Sequence, residues 1–334
     1  MRSDRRSLLC AGLVLSGTIA ARGHAQTSPP TVAGASPPGL PQPAEAIALW
    51  PAGAPGLPLS VPREIVTERS ADRLVSDRAV SGISVPRVVV FRPDRPNGAA
   101  VLICPGGGYR HVVVDKEGYE MGRWLSARGF TVFVLFYRLP GDGWAAGPDV
   151  SLSDAQRALR LIRHRSGEFV IDPERVAVMG FSAGGHLCAD LATRFAHHAY
   201  QEQDEADQLS AKPFCAAPIY PVISMVEGVA HPGSKNLLLG ENPSQVLIAA
   251  HSPDRNVPDD APPFFILHAE DDDVVPVDNS LQLRQSLKAR RVPVESHFFE
   301  HGGHGFGLRK SIGKPVGIWP ELWLSWAKTK GLAW

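Results

Sequence analysis

The chain has 334 residues, with 34 Lys plus Arg balanced by 34 Asp plus Glu. Because the net charge is zero and no basic stripe stands out, nucleic acid and anionic membrane surfaces are poor candidates for partners, and a small neutral substrate fits better. The 44% of hydrophobic and 20% of charged residues are typical of a globular protein, and one large α/β domain accounts for this length.

The first 25 residues have the three parts of an export signal. Arg5-Arg6 belong to a positive start, residues 8–21 are predominantly apolar, and small residues flank a cleavage site after Ala25. The apolar segment is shorter than the roughly 20 residues of a membrane-spanning helix. The sequence therefore predicts a signal peptide over residues 1–25 and an exported protein, periplasmic or secreted, without stable membrane insertion after cleavage. Arg5-Arg6 also fits a twin-arginine signal, and the export route stays open.

Residues 26–62 are crowded with Pro, Ala and Gly, as at Pro29-Pro30 and Pro37-Pro38. Such a composition cannot bury a core, so it predicts a linker or a surface arm followed by one folded domain over residues 63–334. Trp50 lies within this arm. Because a large aromatic side chain gains little when it is left in water, we expect the arm to dock on the domain near this residue.

Strands and amphipathic helices alternate through the rest of the chain. This alternation indicates right-handed crossovers and the α/β fold class, with a mostly parallel central sheet and helices on both faces. Between residues 227 and 260 the pattern loosens, and we expect a cap over the carboxyl ends of the strands. The predicted strands cover residues 63–69, 87–91, 99–104, 130–137, 176–179, 214–222, 264–268 and 294–299, and the main helices cover 117–128, 155–162, 183–195, 279–290 and 319–328.

The motif Gly180-Phe181-Ser182-Ala183-Gly184 stands between a predicted strand and a predicted helix. A Gly-x-Ser-x-Gly sequence in this context is typical of a nucleophile elbow, a strained turn that exposes the serine hydroxyl at the top of a sheet. Glycines suit positions 180 and 184, where side chains would clash with neighbouring backbone. We expect Ser182 to be a nucleophile and the N–H of Ala183 to be one donor of an oxyanion hole.

A second glycine-rich segment, Gly106-Gly107-Gly108, follows the predicted strand 99–104. Residues without side chains let backbone N–H groups converge on one oxygen of a substrate, so we expect Gly107 and Gly108 to supply the rest of the oxyanion hole. A phosphate-binding loop is the alternative, but the sequence has neither of the usual glycine patterns for nucleotides. No cofactor is expected.

An activated serine needs a base, and the base needs a carboxylate that orients it. Candidates follow Ser182 in the order acid and then histidine, which is the order that accompanies a nucleophile elbow. The acidic cluster 270–273 comes after one predicted strand, and a glycine-rich loop with His301 and His304 comes after the next. We favour His304 as the base because glycines on both sides let it approach the elbow. Spacing alone does not separate Asp271, Asp272 and Asp273.

Three other features have a simpler interpretation. His297, His301 and His304 together with the aspartates could form a metal site, but close histidines in a loop are usually incidental, and no metal is expected. Asp154 stands at the start of a predicted helix, where a carboxylate offsets the helix dipole. Cys104, Cys188 and Cys215 fall in predicted core segments, so we expect buried thiols, with one disulfide as the alternative.

Several motifs together resemble the α/β-hydrolase superfamily of serine esterases, and more narrowly exported bacterial acetylxylan or carbohydrate esterases. The resemblance covers about residues 48–332 and implies an α/β-hydrolase catalytic domain with Asp272 as the acid and His304 as the base of a triad. Pro105 departs from the His that many relatives carry before the glycines. The motifs are Pro105 to Tyr109, Tyr137-Arg138-Leu139, Gly180 to Leu187, His268 to Pro276 and His301 to Phe306.

The resemblance implies a serine carboxylesterase that removes acetyl or other short acyl groups, from a carbohydrate such as xylan, through an acyl-enzyme on Ser182. A peptidase or a general short-chain lipase or esterase of the same fold is the enzymatic alternative. A catalytically silent binding protein on this scaffold is the alternative of another class, but such proteins tend to lose a triad residue, and the sequence supplies all three. Oligomeric state stays open.

Overall fold

The computed structural model describes Pro43 and residues 45–333. The predicted signal over residues 1–25 and the first part of the predicted arm lie outside the described residues. Among the residues that are described, no helix combines the length and the apolar character needed to cross a membrane.

The core is an eight-stranded sheet with the strand order β1-β4-β7-β5-β8-β9-β10-β11. β4 runs antiparallel to its neighbours β1 and β7, and the other neighbouring strands pair in parallel. The predicted mostly parallel α/β sheet is therefore confirmed. The strands are β1 Glu45–Ala48, β2 Ile65–Glu68, β3 Arg78–Ser81, β4 Arg87–Phe91, β5 Ala100–Cys104, β6 Val112–Val113, β7 Thr131–Phe136, β8 Val176–Phe181, β9 Ala216–Ile219, β10 Phe264–Ala269 and β11 Val294–Phe299.

Helices connect the parallel strands and flank the sheet. The segment predicted as a helix over residues 117–128 starts with a wide turn at Asp115–Tyr119 and continues as α1. The predicted cap region 227–260 contains α5 and α6. The helices are α1 Glu120–Ser126, α2 Val150–His164, α3 Ser166–Phe169, α4 Ala183–Thr193, α5 Pro232–Leu239, α6 Gln245–Ala250, α7 Asp278–Ala289 and α8 Trp319–Thr329.

The folded domain begins earlier than residue 63, the start that the sequence predicts. β1 lies in the predicted arm and pairs along its whole length with β4, as the edge strand of the central sheet. Leu49 and Trp50, which follow β1, are buried. The docking expected at Trp50 is thus present, and the backbone before it is part of the sheet because β4 satisfies its hydrogen-bonding groups.

Asp154 has a different role from the predicted helix capping. It lies in the second turn of α2, and its side chain has no exposed surface. Its carboxylate pairs with the guanidinium of Arg138 at 2.8 Å and accepts a hydrogen bond of 2.7 Å from the indole N–H of Trp50. Arg138 also donates to the carbonyl oxygen of Pro55. The Asp154–Arg138 pair therefore fastens the arm to the domain.

A small antiparallel sheet, which the sequence did not predict as a unit, holds the glycine loop in place. It has the order β2-β3-β6. β6 starts at Val112, directly after the glycine loop, and pairs with Ala79 and Val80 of β3. Its short strands position the loop that follows β5.

Candidate active site

Ser182 lies between β8 and α4 in a strained backbone conformation, with φ of 53° and ψ of −120°. Positive φ is unfavourable for a residue with a side chain. The surrounding glycines make the turn possible. A side chain on Gly180 would collide with the carbonyl oxygen of Gly184, and one on Gly184 would collide with the carbonyl oxygen of Cys104. The predicted strand, turn and helix are present.

Ser182, His304 and Asp272 form one hydrogen-bonded row. The Nε2 atom of His304 lies 2.9 Å from Oγ of Ser182, and its Nδ1 atom lies 2.7 Å from Oδ2 of Asp272. Asp272 follows β10, and His304 lies in the loop after β11. Because these strands are parallel neighbours of the sheet, their carboxyl ends bring the two loops together.

The carboxylate of Asp272 is held by neutral donors. The backbone N–H groups of Val274 and Val275 donate to Oδ1 at 3.0 and 2.8 Å, and Nε2 of His268 lies 3.1 Å from Oδ2. Burial alone would raise the pKa of Asp272, but hydrogen bonds from His268, His304 and Val275, together with the attraction of a protonated His304, hold it well below its usual range. Asp272 therefore keeps its negative charge beside the imidazole of His304.

Asp271 and His301 lie outside this row. The side chain of His301 is 70% exposed, and its Nδ1 atom lies 3.3 Å from Asp271. Asp271 accepts hydrogen bonds of 2.8 and 2.7 Å from the N–H groups of Gly302 and Gly303, which lower its pKa. Asp271 thus braces the backbone of the loop that carries His304, a contribution that sequence spacing did not indicate.

The glycine loop after β5 lies against the elbow. Gly107 and Gly108 have φ of 133° and 65°, and both line the same cavity as Ser182. A side chain on Gly107 would collide with the backbone of His111, and a Cβ on Gly106 would lie 2.9 Å from Cβ of Ser182. Ala183 is the first residue of α4, where N–H groups have no acceptor within the helix. Gly107 and Gly108 thus border the cavity that contains Ser182, and the N–H of Ala183 directly follows the serine in the chain.

Glu117 is a buried carboxylate that the sequence analysis did not single out. Its Oε2 atom accepts a hydrogen bond of 2.9 Å from the N–H of Gly106, and its Oε1 atom accepts one of 3.2 Å from the hydroxyl of Tyr220. That hydroxyl accepts in turn from the N–H of Gly307, and the ring of Tyr220 packs edge-on against His304. Glu117 therefore connects the glycine loop with the histidine loop.

His186 was also missed, although it belongs to the elbow sequence. It is buried on α4, with Nδ1 at 2.7 Å from the hydroxyl of Tyr109 and Nε2 at 2.8 Å from the carbonyl oxygen of His251. Burial lowers its pKa to about 4, so it is neutral at physiological pH. A neutral imidazole fits this position, because it accepts from the Tyr109 hydroxyl and donates to the His251 carbonyl. His186 ties the glycine loop and the cap region to α4.

The triad opens into a cavity of about 480 Å³. Its lining includes Ser182 and His304 together with His231, Gly233 and Leu237 from the cap region, so the expected cap contributes to the site. The volume lies within the usual range for sites that bind small molecules. A larger, more apolar cavity of about 580 Å³ is lined by Leu74, Trp124 and Ile312 and contains no triad residue.

Within residues 45–333, no group of three or more His, Cys, Asp or Glu side chains is arranged to hold a metal ion. The histidines of the alternative metal site have separate partners. His297 contacts Glu295, His301 contacts Asp271, and His304 contacts Asp272. Cys104, Cys188 and Cys215 are free and buried, so the described cysteines form no disulfide.

Comparisons with known proteins agree on one family. The BD-FAE family matches residues 91–287. An acetylxylan esterase of Xylanibacter ruminicola is 33% identical over 227 residues, which cover 66% of this chain and 44% of that protein. Endo-1,4-beta-xylanase B of Butyrivibrio fibrisolvens is 34% identical over 205 residues, which cover 61% of this chain and 32% of that protein. The alignments thus span less than half the length of these two relatives.

Among solved structures, an acetyl ester-xyloside bifunctional hydrolase from Caldicellulosiruptor lactoaceticus has 36% sequence identity and a TM-score of 0.73, covering 87% of this chain and 97% of that one. A thermophilic esterase from Thermogutta terrifontis, at 21% identity and a TM-score of 0.62, shares the fold. The resemblance drawn from the motifs is confirmed: the chain belongs to the BD-FAE family of α/β-hydrolase-fold esterases.

Proposed function

We propose that this protein is a serine carboxylesterase that hydrolyses acetyl or other short acyl esters of a carbohydrate. The observation that carries the proposal is the row in which Oγ of Ser182 lies 2.9 Å from Nε2 of His304. The acetylxylan esterase and the acetyl ester-xyloside hydrolase among the similar proteins support a sugar ester as substrate. The polar lining of the cavity, with Glu117, Lys116 and His231, suits an alcohol that carries hydroxyl groups.

In the acylation step, His304 accepts the proton of the Ser182 hydroxyl while Oγ attacks the ester carbonyl carbon. The carbonyl oxygen becomes an oxyanion, and we assign its stabilisation to the N–H groups of Gly107, Gly108 and Ala183. Asp272 stabilises the imidazolium and holds it with Nε2 towards the serine. The bond to the alcohol oxygen then breaks, the imidazolium donates its proton to that oxygen, and the sugar leaves.

In the deacylation step, a water molecule takes the place of the alcohol. His304 accepts a proton from this water as it attacks the acyl carbon, the same N–H groups stabilise the second oxyanion, and the bond to Oγ of Ser182 breaks. The proton returns to Oγ, and the acid is released. Hydrogen bonds connect the glycine loop through Glu117 and Tyr220 to Gly307 in the histidine loop. This connection holds the oxyanion donors at a fixed distance from the base in both steps.

We also propose that the protein acts outside the cytoplasm, with cleavage after Ala25. Polymeric acetylated sugars lie outside the cell, and the positive, apolar and small-residue parts of residues 1–25 support this location. N-terminal sequencing of protein recovered from the periplasm or medium tests the assignment. Recovery of the full-length chain from the cytoplasm alone would contradict it.

The nucleophile is tested with Ser182→Ala. We expect turnover of 4-nitrophenyl acetate and of acetylated xylan to fall by about 10⁴ to 10⁶, because the oxyanion donors and substrate binding remain but no acyl-enzyme forms. A panel of acetylated xylan, acetylated monosaccharides, feruloyl esters and longer acyl esters ranks the substrates. Unchanged melting temperature serves as the folding control, and turnover like that of the wild type would remove Ser182 from the mechanism.

A further inference from the structure

Three basic side chains, Arg69, Arg110 and Lys116, line the active-site cavity, and they are called the basic wall below. Glu117 is the acidic residue of the same lining. The whole chain has zero net charge, so the basic wall is a local property of the cavity. An excess of positive charge focused in a cleft attracts anionic ligands.

Lys116 is the most informative member of the basic wall. Its side chain is 9% exposed, and its Nζ atom donates no hydrogen bond to any residue in the described part of the chain. The carboxylate of Glu117 forms a long ion pair with it at 3.8 Å, without a hydrogen bond. A Cβ added to Gly305 would lie 3.2 Å from Nζ, which places the ammonium beside the residue after His304. Because the ammonium borders the cavity and no described group accepts a hydrogen bond from it, an acceptor on a bound substrate can form a charge-assisted hydrogen bond there.

The positive charge of Arg110 is not paired with a carboxylate of the described residues. Arg110 is exposed at the mouth of the cavity, and its guanidinium makes no ion pair or hydrogen bond within residues 45–333. Arg69 is partly used, because it donates to the carboxylate of Asp77 at 2.7 Å. His111 lies on the same lining. Burial lowers its pKa, and the positive charges of Arg69 and Arg110 lower it further. The two guanidinium groups therefore act on one part of the cavity.

Glu117 offsets only part of this charge, since its carboxylate pairs with the ammonium of Lys116 at 3.8 Å and is the acidic residue of the lining. Its two oxygens already accept hydrogen bonds from the N–H of Gly106 and the hydroxyl of Tyr220. The lining thus has three cations against one carboxylate, which leaves the charge of Arg110 and the hydrogen-bonding capacity of Lys116 for whatever fills the cavity.

We propose that the basic wall binds a carboxylate of the substrate, so that the preferred ester carries an anionic group such as a uronic acid on its alcohol portion. This inference rests on the proposed function: the acetyl group carries no charge, and the carboxylate therefore belongs to the alcohol. The net charge of the chain suggested a neutral substrate. The cavity lining, however, has more positive than negative side chains, so the proposal replaces the neutral substrate with an anionic one.

The test compares two substrates that differ in one group, a mono-O-acetylated methyl glucuronoside and the corresponding acetylated methyl glucoside. We expect kcat/KM of the wild type to be about tenfold higher for the glucuronoside, the scale of one charge-assisted hydrogen bond that is partly screened by solvent. The preference should weaken between about 0.01 M and 1 M salt, as the Debye length falls from about 30 Å to 3 Å.

Arg110→Gln and Lys116→Gln should each lower the ratio of the two kcat/KM values towards one. Arg290→Gln is the matched control, since Arg290 is exposed, pairs with Asp259 and is not part of the cavity lining. Arg110 is exposed, so its variant tests the proposal even if the buried Lys116 variant fails to fold. A ratio left unchanged by Arg110→Gln, and by Lys116→Gln where that variant folds, would overturn the proposal.

Two further outcomes separate this inference from the proposed function. Turnover of both sugar esters at equal kcat/KM in the wild type would overturn the carboxylate subsite and leave the esterase intact, whereas no turnover of either would overturn the esterase and the subsite with it. Phenyl hemisuccinate and phenyl butyrate form a second pair of substrates. A preference confined to the hemisuccinate would move the carboxylate to the acyl portion and contradict the assignment made here.

Discussion

Asp272 and Asp154 are both carboxylates without exposed side-chain surface, yet the groups around them differ in charge. Asp154 faces the guanidinium of Arg138, a permanent cation. Asp272 faces backbone N–H groups and the rings of His268 and His304. The negative charge of Asp154 is thus neutralised in the resting protein, whereas that of Asp272 is stabilised without a fixed cation.

This difference suits Asp272 to a catalytic role and Asp154 to a structural one. A charge that is already paired has little further attraction for an imidazolium, while one held by neutral dipoles stabilises a cation as soon as it forms. At Asp154 the ion pair joins Trp50 and α2 across 104 residues of sequence. A buried carboxylate therefore has to be interpreted together with the charge of its partners.

The largest expected effect tests the chemical side of this comparison. Asp272→Asn should lower kcat by about 10⁴, because the amide no longer fixes the productive tautomer of His304 or stabilises its protonated form. Asp271→Asn is the matched control in the neighbouring position and should cost only a few-fold, since Asp271 braces backbone rather than the imidazole. Steady-state kinetics with an aryl acetate measures both, and a reversed order would place the orienting carboxylate at 271.

The structural side of the comparison is tested with Asp154→Asn. It should lower the free energy of unfolding by about 3–5 kcal/mol, because Arg138 is left as a buried charge without its partner. Denaturant unfolding measures this change, and kcat per folded molecule should stay near that of the wild type. The double variant Arg138→Met with Asp154→Asn should recover part of the loss. Full stability of the single variant would contradict the role given to the ion pair.

A smaller effect concerns pH. Because the pKa of Asp272 lies well below its usual range, this carboxylate stays ionised as the pH falls through mildly acidic values. With one general base in the mechanism, the decline of kcat/KM down to about pH 4 should therefore have unit slope on logarithmic axes, because Asp272 adds no second proton in this range. A slope approaching two above pH 4 would indicate that Asp272 titrates in the same range.

The parts that could be predicted from the sequence are those encoded by local backbone requirements. Gly180, Gly184 and the glycine loop are needed at specific points of tight turns, and Ser182 follows from them. The parallel order of β10 and β11 then explains why the loops with Asp272 and His304 meet, although the choice of Asp272 over its neighbours depended on resemblance to a family.

The missed features depend on contacts between distant segments. Only four residues form β1, and its partner β4 lies some 40 residues later, so the composition of residues 26–62 dominated the prediction. Asp154 was predicted to offset a helix dipole, because its actual partners, Trp50 and Arg138, are not near it in the sequence. Glu117 was hidden in the same way, since its partners Gly106 and Tyr220, and Gly307 that donates to Tyr220, lie in three separate loops.

The rate at which the three buried thiols react can report how often the core of the protein opens. Burial raises the pKa of Cys104, Cys188 and Cys215, so almost no thiolate is present or reachable in the folded state. An alkylating reagent can modify them only when the surrounding structure loosens. The carbonyl of Cys104 packs directly against Gly184, in the turn that holds Ser182. Mass spectrometry can separate the labelling of Cys104 from that of Cys215. Faster labelling of Cys104 would show that this turn opens before the rest of the sheet.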